Sequence, residues 1–150
     1  MVLRWLLAAL CALGGGCLLT PSHTDPEMSC DPIVNTSDSG HHNPGSDCMQ
    51  CHDGTMPDAP RASVGGTVYA TGSMPLPGAS IRVRDAHGQS MRLISALNGN
   101  FYSASPMAYP ITVIASACPH TVPMLGLVLP PGDCNACHLT DGDPGRIRLP

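Results

Sequence analysis

The feature that most constrains this chain is a five-residue pattern, C-x-x-C-H, that occurs twice. The copies are Cys48-Met49-Gln50-Cys51-His52 and Cys134-Asn135-Ala136-Cys137-His138. This spacing is the attachment signature of c-type haem, because two thiols three positions apart can add to the two vinyl groups on one porphyrin edge. The histidine that follows can then bind the iron axially. The pattern predicts two covalent haem c groups with His52 and His138 as proximal iron ligands.

Two other kinds of site also use the Cys-x-x-Cys spacing. A zinc site could take four thiolates from the two pairs, but it does not need a histidine directly after each pair. A thioredoxin-like redox pair belongs in a βαβ context, whereas both motifs here stand in sequence rich in Gly, Pro and Asp. Zinc binding and thiol redox chemistry therefore stay open as alternatives to haem attachment.

Histidines outside the motifs are candidates for the second axial position of each iron. His41 and His42 precede the first motif, and His120 precedes the second. His42 lies ten residues before His52, and an extended chain of that length reaches about 33 Å, which is enough to pass around a haem edge. The sequence does not distinguish His41 from His42, nor assign either to one haem. Methionine is the rival ligand, with Met124 best placed, and it would raise the reduction potential.

Composition favours loops and excludes one class of partner. Sixteen Gly and sixteen Pro make more than a fifth of the 150 residues, which is typical of chains rich in turns. Only five residues are aromatic, so covalent haem would supply apolar bulk that the core otherwise lacks. The seven basic residues are all arginine and the net charge is −4, so the chain carries no basic surface for a nucleic acid.

The N-terminus has the pattern of a targeting segment. Arg4 is followed by an apolar run at 5–13 and by three glycines before Cys17. The run is too short to span a bilayer, so residues 1–17 are predicted to be a signal peptide of lipoprotein type, with Cys17 lipidated. Ordinary cleavage near the glycines is the alternative. Either way the protein is expected to be exported, to the periplasmic side or the cell surface of a bacterium, where haem attachment takes place.

The middle of the chain predicts a small β-sandwich. Apolar and β-branched residues alternate in short runs at spacings of roughly 8–12 residues, separated by turn signals. Two of these signals, Ala86-His87-Gly88 and Leu97-Asn98-Gly99, are of hairpin type. The predicted strands cover residues 66–70, 79–84, 91–95, 99–103 and 111–117, with a further edge strand at 125–129.

Two parts of the sequence resemble known families. At the two C-x-x-C-H motifs the chain resembles multihaem cytochromes c, which implies electron transfer with other redox proteins. The middle segment is similar to carboxypeptidase regulatory-like (prealbumin-like) β-sandwich modules, at the positions given below. This second resemblance implies a binding or spacer scaffold without catalysis. The matching residues are Gly66-Thr67-Val68, Pro75-Leu76-Pro77-Gly78-Ala79-Ser80-Ile81-Arg82-Val83, Gly88, Asn98-Gly99-Asn100-Phe101 and Tyr109-Pro110-Ile111-Thr112-Val113.

The expected fold class is mainly β: a small Ig-like or prealbumin-like sandwich flanked by loop-rich haem-binding segments. The two cysteines left over, Cys30 and Cys118, are candidates for a disulfide, since export implies an oxidising compartment. After the signal peptide, the predicted order is a flexible linker at 18–40, a haem-binding segment at 41–61, the sandwich at 62–117 and a second haem-binding segment at 118–150.

These observations predict an exported dihaem c-type cytochrome that passes electrons between redox partners, mainly other cytochromes, and is not an enzyme. No phosphate-binding loop, nucleophile elbow or H-E-x-x-H motif is present in the sequence. One alternative is a homo-oligomer or a subunit of a larger multihaem assembly, docked through the sandwich. The other is a small haem enzyme of peroxidase type, or a gas-binding protein, with one five-coordinate haem.

Overall fold

The computed structural model describes residues 29–139 and 144–150. Over these residues the chain is mainly β, with two sheets of three and four strands that enclose one core. The predicted fold class is therefore confirmed. The proposed signal peptide, the lipidation site at Cys17 and the first part of the linker lie outside the described residues. No helix in the described residues is both long and apolar enough to cross a bilayer.

The seven strands are divided between the two sheets, and the hairpins β2–β3 and β5–β6 both belong to the four-stranded sheet. The three-stranded sheet has the order β4-β1-β7 and the four-stranded sheet the order β3-β2-β5-β6. All neighbours are antiparallel except β1 and β7, which are parallel. The strands are β1 (Val64–Tyr69), β2 (Ser80–Arg84), β3 (Ser90–Ile94), β4 (Asn100–Ser103), β5 (Thr112–Ala117), β6 (His120–Pro123) and β7 (Ile147–Arg148), with one short helix, α1 (Met49–His52), and a 3-10 turn at Thr71–Ser73.

The core lies between the sheets and follows the alternation of each strand. In β2, Ile81 and Val83 point inward, and they pair with Ala115 and Val113 of β5, which also point inward. Period-2 alternation is what sends such residues to one face of a sheet. From the other sheet, Val64, Val68 and Phe101 close the core, which is thus small and aliphatic.

The last third of the chain departs from the expected elements. The predicted strand at 125–129 was wrong, since only Val128 makes a bridge, to Ile111. The strand forms earlier, at His120–Pro123, because the chain reverses directly after Cys118 and its next residues pair with β5. In addition, β7 joins the three-stranded sheet beside β1, so the sandwich extends beyond residue 117.

The two turn signals have different outcomes. Ala86-His87-Gly88 forms the β2–β3 hairpin, with Gly88 at φ 80°. Leu97-Asn98-Gly99 also forms a turn, with Gly99 at φ 80°, but it joins strands of different sheets and is not a β-hairpin.

The described part of the predicted linker is attached to the sandwich. Cys30 and Cys118 form the expected disulfide, with their Cα atoms 5.1 Å apart. Asp31 accepts a hydrogen bond from the Ser80 hydroxyl at 2.7 Å. Further along, the Val34 amide donates to the Gly78 carbonyl at 3.0 Å. Residues 29–40 thus lie along the domain and lead directly into the first motif.

Candidate haem-attachment site

The first motif lies on α1, whose start is held by two carboxylates. The Asp47 carboxylate accepts hydrogen bonds from the backbone N–H groups of Met49 and Gln50, at 3.0 and 3.1 Å. Asp133, which comes directly before the second motif, accepts a further bond from Met49 N at 3.0 Å. These are the amides that a helix of four residues cannot satisfy by itself. The second motif therefore contributes to the geometry of the first.

The imidazole of His52 is oriented by the backbone. Its Nδ1 lies 2.7 Å from the carbonyl oxygen of Pro60. A carbonyl only accepts, so Nδ1 carries the proton and Nε2 has a free lone pair. This is the arrangement that metal-ligating histidines have in proteins, where the second nitrogen is held by an outer partner.

The second motif repeats the local structure of the first. The His138 amide donates to the Cys134 carbonyl at 3.1 Å, as His52 N donates to Cys48 O at 3.0 Å. His138 Nδ1 also bonds to a backbone carbonyl, that of Gly145. Its Nε2 is therefore free in the same way. The two predicted proximal ligands therefore share the same tautomer, and each is oriented by a backbone carbonyl.

A cavity of about 310 Å³ opens beside the first motif, and both His41 and His42 line it. The ring of His42 lies 5.7 Å from that of His52, centroid to centroid, with 26° between their planes. His41 instead points its Nε2 to the Tyr102 hydroxyl, at 3.4 Å. Phe101 completes the wall of the cavity. His42 is therefore the better candidate for a second ligand at the first motif.

The two motifs meet at adjacent glycines of β1. A methyl group on Gly65 would lie 3.3 Å from Cys48 Sγ, and one on Gly66 would lie 2.8 Å from Cys134 Cβ. Neighbouring residues of a strand point to opposite faces of the sheet. The first cysteines of the two motifs therefore lie against opposite sides of the same strand.

Asn135, which the sequence analysis passed over, joins the motifs from a fully buried position. Its Oδ1 accepts a hydrogen bond from the Thr67 amide at 3.0 Å. Its Nδ2 donates to the Ser46 carbonyl at 2.8 Å and to Thr67 Oγ1 at 3.0 Å. A variable position of C-x-x-C-H carries no haem chemistry, so the motif itself held no signal for this role.

The aspartates that precede the motifs form a second link. The carboxyl groups of Asp47 and Asp133 interact, and each shifts the pKa of the other. Burial, and then the interaction with Asp47, raises the pKa of Asp133 to about 6, while the interaction with Asp133 lowers the pKa of Asp47. The sequence did contain a signal, since both motifs read D-C-x-x-C-H.

The first thiol of each motif is held in its protonated form. Burial, reinforced by the charge of Asp133, raises the pKa of Cys48 to about 11 and that of Cys134 to about 12. Within the described ranges, no three His, Cys, Asp or Glu side chains are arranged to hold a metal ion among themselves. The zinc alternative thus gains no support from the geometry.

The residues of the two motifs fit haem to different degrees. At the first motif, Cys51 is exposed, Cys48 is half-buried and His52 lines the cavity, so every required group is accessible. At the second motif, Cys137 is exposed, but Cys134 is only 7% exposed and packs in the core. Attachment there would require the Cys134 side chain to move outward from its place in this structure.

The remaining candidate ligands lie on other elements. His120 begins β6, at the edge of the four-stranded sheet, whereas the second motif borders β1 in the other sheet. Met124 follows β6 and is 37% exposed. His120 and Met124 remain predictions as ligands.

Comparison with protein-family models, curated proteins and solved structures gives no match to this chain. The interpretation of the site rests on the two motifs and on the geometry of their side chains.

Proposed function

We propose that this protein is an exported dihaem c-type cytochrome that transfers electrons between redox partners. The observation that supports this most directly is the shared state of the two motif histidines. In both, Nδ1 donates to a backbone carbonyl and Nε2 is left free to bind iron. Covalent haem supplies reversible one-electron chemistry, and the protein sets its ligands and surroundings.

Each residue has a defined role in this proposal. Cys48 and Cys51 tether one group and His52 is its proximal ligand. The second group is tethered by Cys134 and Cys137, with His138 as proximal ligand. At the first site His42 is the proposed distal ligand, because its ring lies beside that of His52. A sixth protein ligand leaves no position for substrate, which is what an electron carrier needs.

The position of the motifs also supports electron transfer between the two proposed haem sites. The sequence left two arrangements open, with both haems at one pole or with one at each end. Asn135 bonds to the Ser46 carbonyl, and Asp133 bonds to the Met49 amide, so each motif touches the other segment. We infer that electrons pass between the sites within one chain, and that partner proteins, other cytochromes, dock at this pole.

A second candidate function is gas binding, or peroxidase-type chemistry, at the second motif. His120 lies on the other sheet, so this motif has a less obvious sixth ligand than the first. A five-coordinate iron there would bind small molecules.

Absorption spectra of the reduced protein, with and without carbon monoxide, test the proposal. An electron carrier with two six-coordinate haems gives low-spin spectra that carbon monoxide does not change. A change in half of the haem absorbance would favour the second candidate. Protein that carries no covalent haem after export, in cells that mature other c-type cytochromes, would contradict both. His87→Ala is the control, since His87 lies at the tip of the β2–β3 hairpin.

A further inference from the structure

An apolar loop protrudes between β6 and the second motif, and the proposed function does not use it. This segment, residues 124–129, is called the leucine loop below. Leu125 is 99% exposed, Leu127 61% and Leu129 65%. Large aliphatic side chains exposed together to this extent mark an interaction surface more often than a free surface.

The loop backbone directs Leu127 and Leu129 to one side. Val128 is held inward, because its N–H and C=O both bond to Ile111, at 2.9 and 3.0 Å. Its side chain packs against the core. Residues two positions apart share a face in extended chain, so Leu127 and Leu129 point away from the core on either side of Val128. Leu125 continues this apolar stripe onto the bend.

The segment that carries the stripe has no acidic, lysine or arginine side chain of its own. No Asp, Glu, Lys or Arg occurs between Cys118 and Gly132. Moving this segment into an apolar medium therefore removes no ionised side chain from water, which is the largest cost of such a transfer. Protein interfaces usually surround their apolar centre with a polar rim, and this segment supplies no charged one.

We propose that the leucine loop inserts shallowly into the surface of a lipid bilayer. The loop is convex, as the nearly complete exposure of Leu125 shows, so it suits a deformable apolar medium better than a flat protein surface. The bend at 125 and 126 presents backbone polar groups that need water or headgroups. This limits insertion to the interfacial region.

The sequence outside the described residues provides a reason for the bilayer to be near. Cys17 is the proposed lipidation site, so a lipid anchor would stand at the start of the mature chain. The twelve residues after Cys17, up to Ser29, can extend to about 40 Å, so an anchored chain could bring the loop to the same membrane. Such tethering raises the local concentration of bilayer seen by the loop. The inference does not require haem.

Hydrogen exchange, measured by mass spectrometry on the full chain, separates this contact from the N-terminal anchor. Phosphatidylcholine vesicles should slow exchange severalfold in the peptide 119–132, and added anionic lipid or salt should change this little, because the loop has no charge. Leu125→Asp with Leu127→Asp should abolish the protection, even where the N-terminus still holds the protein on vesicles. Leu97→Asp is the matched control, since Leu97 is 54% exposed on a different turn.

Three results would overturn the inference. Exchange in 119–132 that vesicles leave unchanged would show that no bilayer contact forms. Protection that appears without vesicles and grows with protein concentration would assign the loop to a second copy of the chain. Protection that requires an added redox protein would assign it to that partner. The experiment works equally on protein without haem, so its outcome is independent of the proposed function.

Discussion

At the residue scale, both motif histidines are held by carbonyl groups of the backbone. The acceptors belong to Pro60 and Gly145, which lie eight and seven residues after their histidines. A side-chain partner could be lost by one substitution, but a backbone acceptor persists as long as the loop keeps its path. The orientation of these two proposed ligands thus depends on the loops that follow the motifs.

The two adjacent histidines before the first motif should behave differently. We expect His42→Ala to convert one of the two haems from low to high spin and to open it to carbon monoxide, since the His42 ring lies 5.7 Å from that of His52. His41→Ala should leave the spectrum unchanged, because His41 contacts Tyr102 instead. Absorption and electron paramagnetic resonance spectra measure this. Identical effects of the two variants would contradict the assignment of His42.

The carboxyl pair gives a pH dependence of stability. The fold raises the pKa of Asp133 from 3.8 to about 6. The native state therefore binds this proton more tightly than the unfolded state. The contribution of Asp133 to the free energy of unfolding is thus present below pH 4 and is lost as the pH rises from 4 to 6. The lowered pKa of Asp47 acts in the opposite sense, and its stabilisation is lost as the pH falls through the folded-state pKa.

We expect Asp133→Asn to reduce the loss of stability that the parent protein shows as the pH rises from 4 to 6. After allowance for partial exposure to solvent, the free energy of unfolding of the variant, compared with that of the parent, should be about 1–2 kcal/mol more favourable at pH 7 than at pH 4. Denaturant unfolding over this pH range measures the effect. Asp58→Asn, on an exposed turn, is the control and should keep the slope of the parent protein. A parent protein without such a slope would contradict the role given to the pair.

At the element scale, β1 depends on having two glycines in succession. A methyl group on Gly66 would lie 2.7 Å from the ring of Phe101 and 2.8 Å from Cys134 Cβ, in a packed region. We expect Gly66→Ala to destabilise the fold by about 1–3 kcal/mol, as overpacking does, and to lower haem occupancy at the second motif. Gly126→Ala is the control, since its methyl group would meet only Met124 Cε, at 3.8 Å. Equal unfolding midpoints for the two variants would contradict this view of β1.

The disulfide attaches the N-terminal segment to the turn between β5 and β6. It joins residues 88 apart, so on the chain-entropy model its loss costs about 4.6 kcal/mol. We expect Cys30→Ala with Cys118→Ala to lower the free energy of unfolding by up to this amount while haem attachment persists. Denaturant unfolding with and without reductant measures it. If reductant lowers the free energy of unfolding equally in the parent protein and in the double variant, the loss of stability does not come from this disulfide.

The elements differ in how far the sequence could predict them. In β2, Ile81 and Val83 alternate with polar residues, and that period predicts the strand directly. In contrast, β6 consists of His120-Thr121-Val122-Pro123, whose proline argues against a strand. It forms because the chain reversal at Cys118 brings it beside β5. Its existence depends on tertiary pairing that no local pattern contains.

The same limit applies to the site. The ligands of the C-x-x-C-H motifs follow from local spacing, and the pattern alone predicts them. That Asn135 would bond to Ser46, or that Asp133 would hold the amide of Met49, depends on segments over 80 residues apart in the chain. Such contacts arise only once both segments have packed against β1.

At the scale of the whole molecule, the sandwich brings two distant segments to one strand. The residue pair Gly65 and Gly66 contacts Cys48 on one side and Cys134 on the other. The hydrophobic core that stabilises this packing is of only modest size. The disulfide and the buried hydrogen bonds of Asn135 stabilise it further. The sandwich thus acts as the scaffold on which both proposed attachment sites are formed.

The intact mass of protein matured in a host with haem-attachment machinery tests the central claim most directly. We expect the polypeptide plus two covalent haem groups after denaturation. Cys48→Ala with Cys51→Ala, and Cys134→Ala with Cys137→Ala, should each retain one haem, while His87→Ala keeps both. A colourless protein with the mass of the bare polypeptide, or one that carries zinc at its thiols, would contradict the claim.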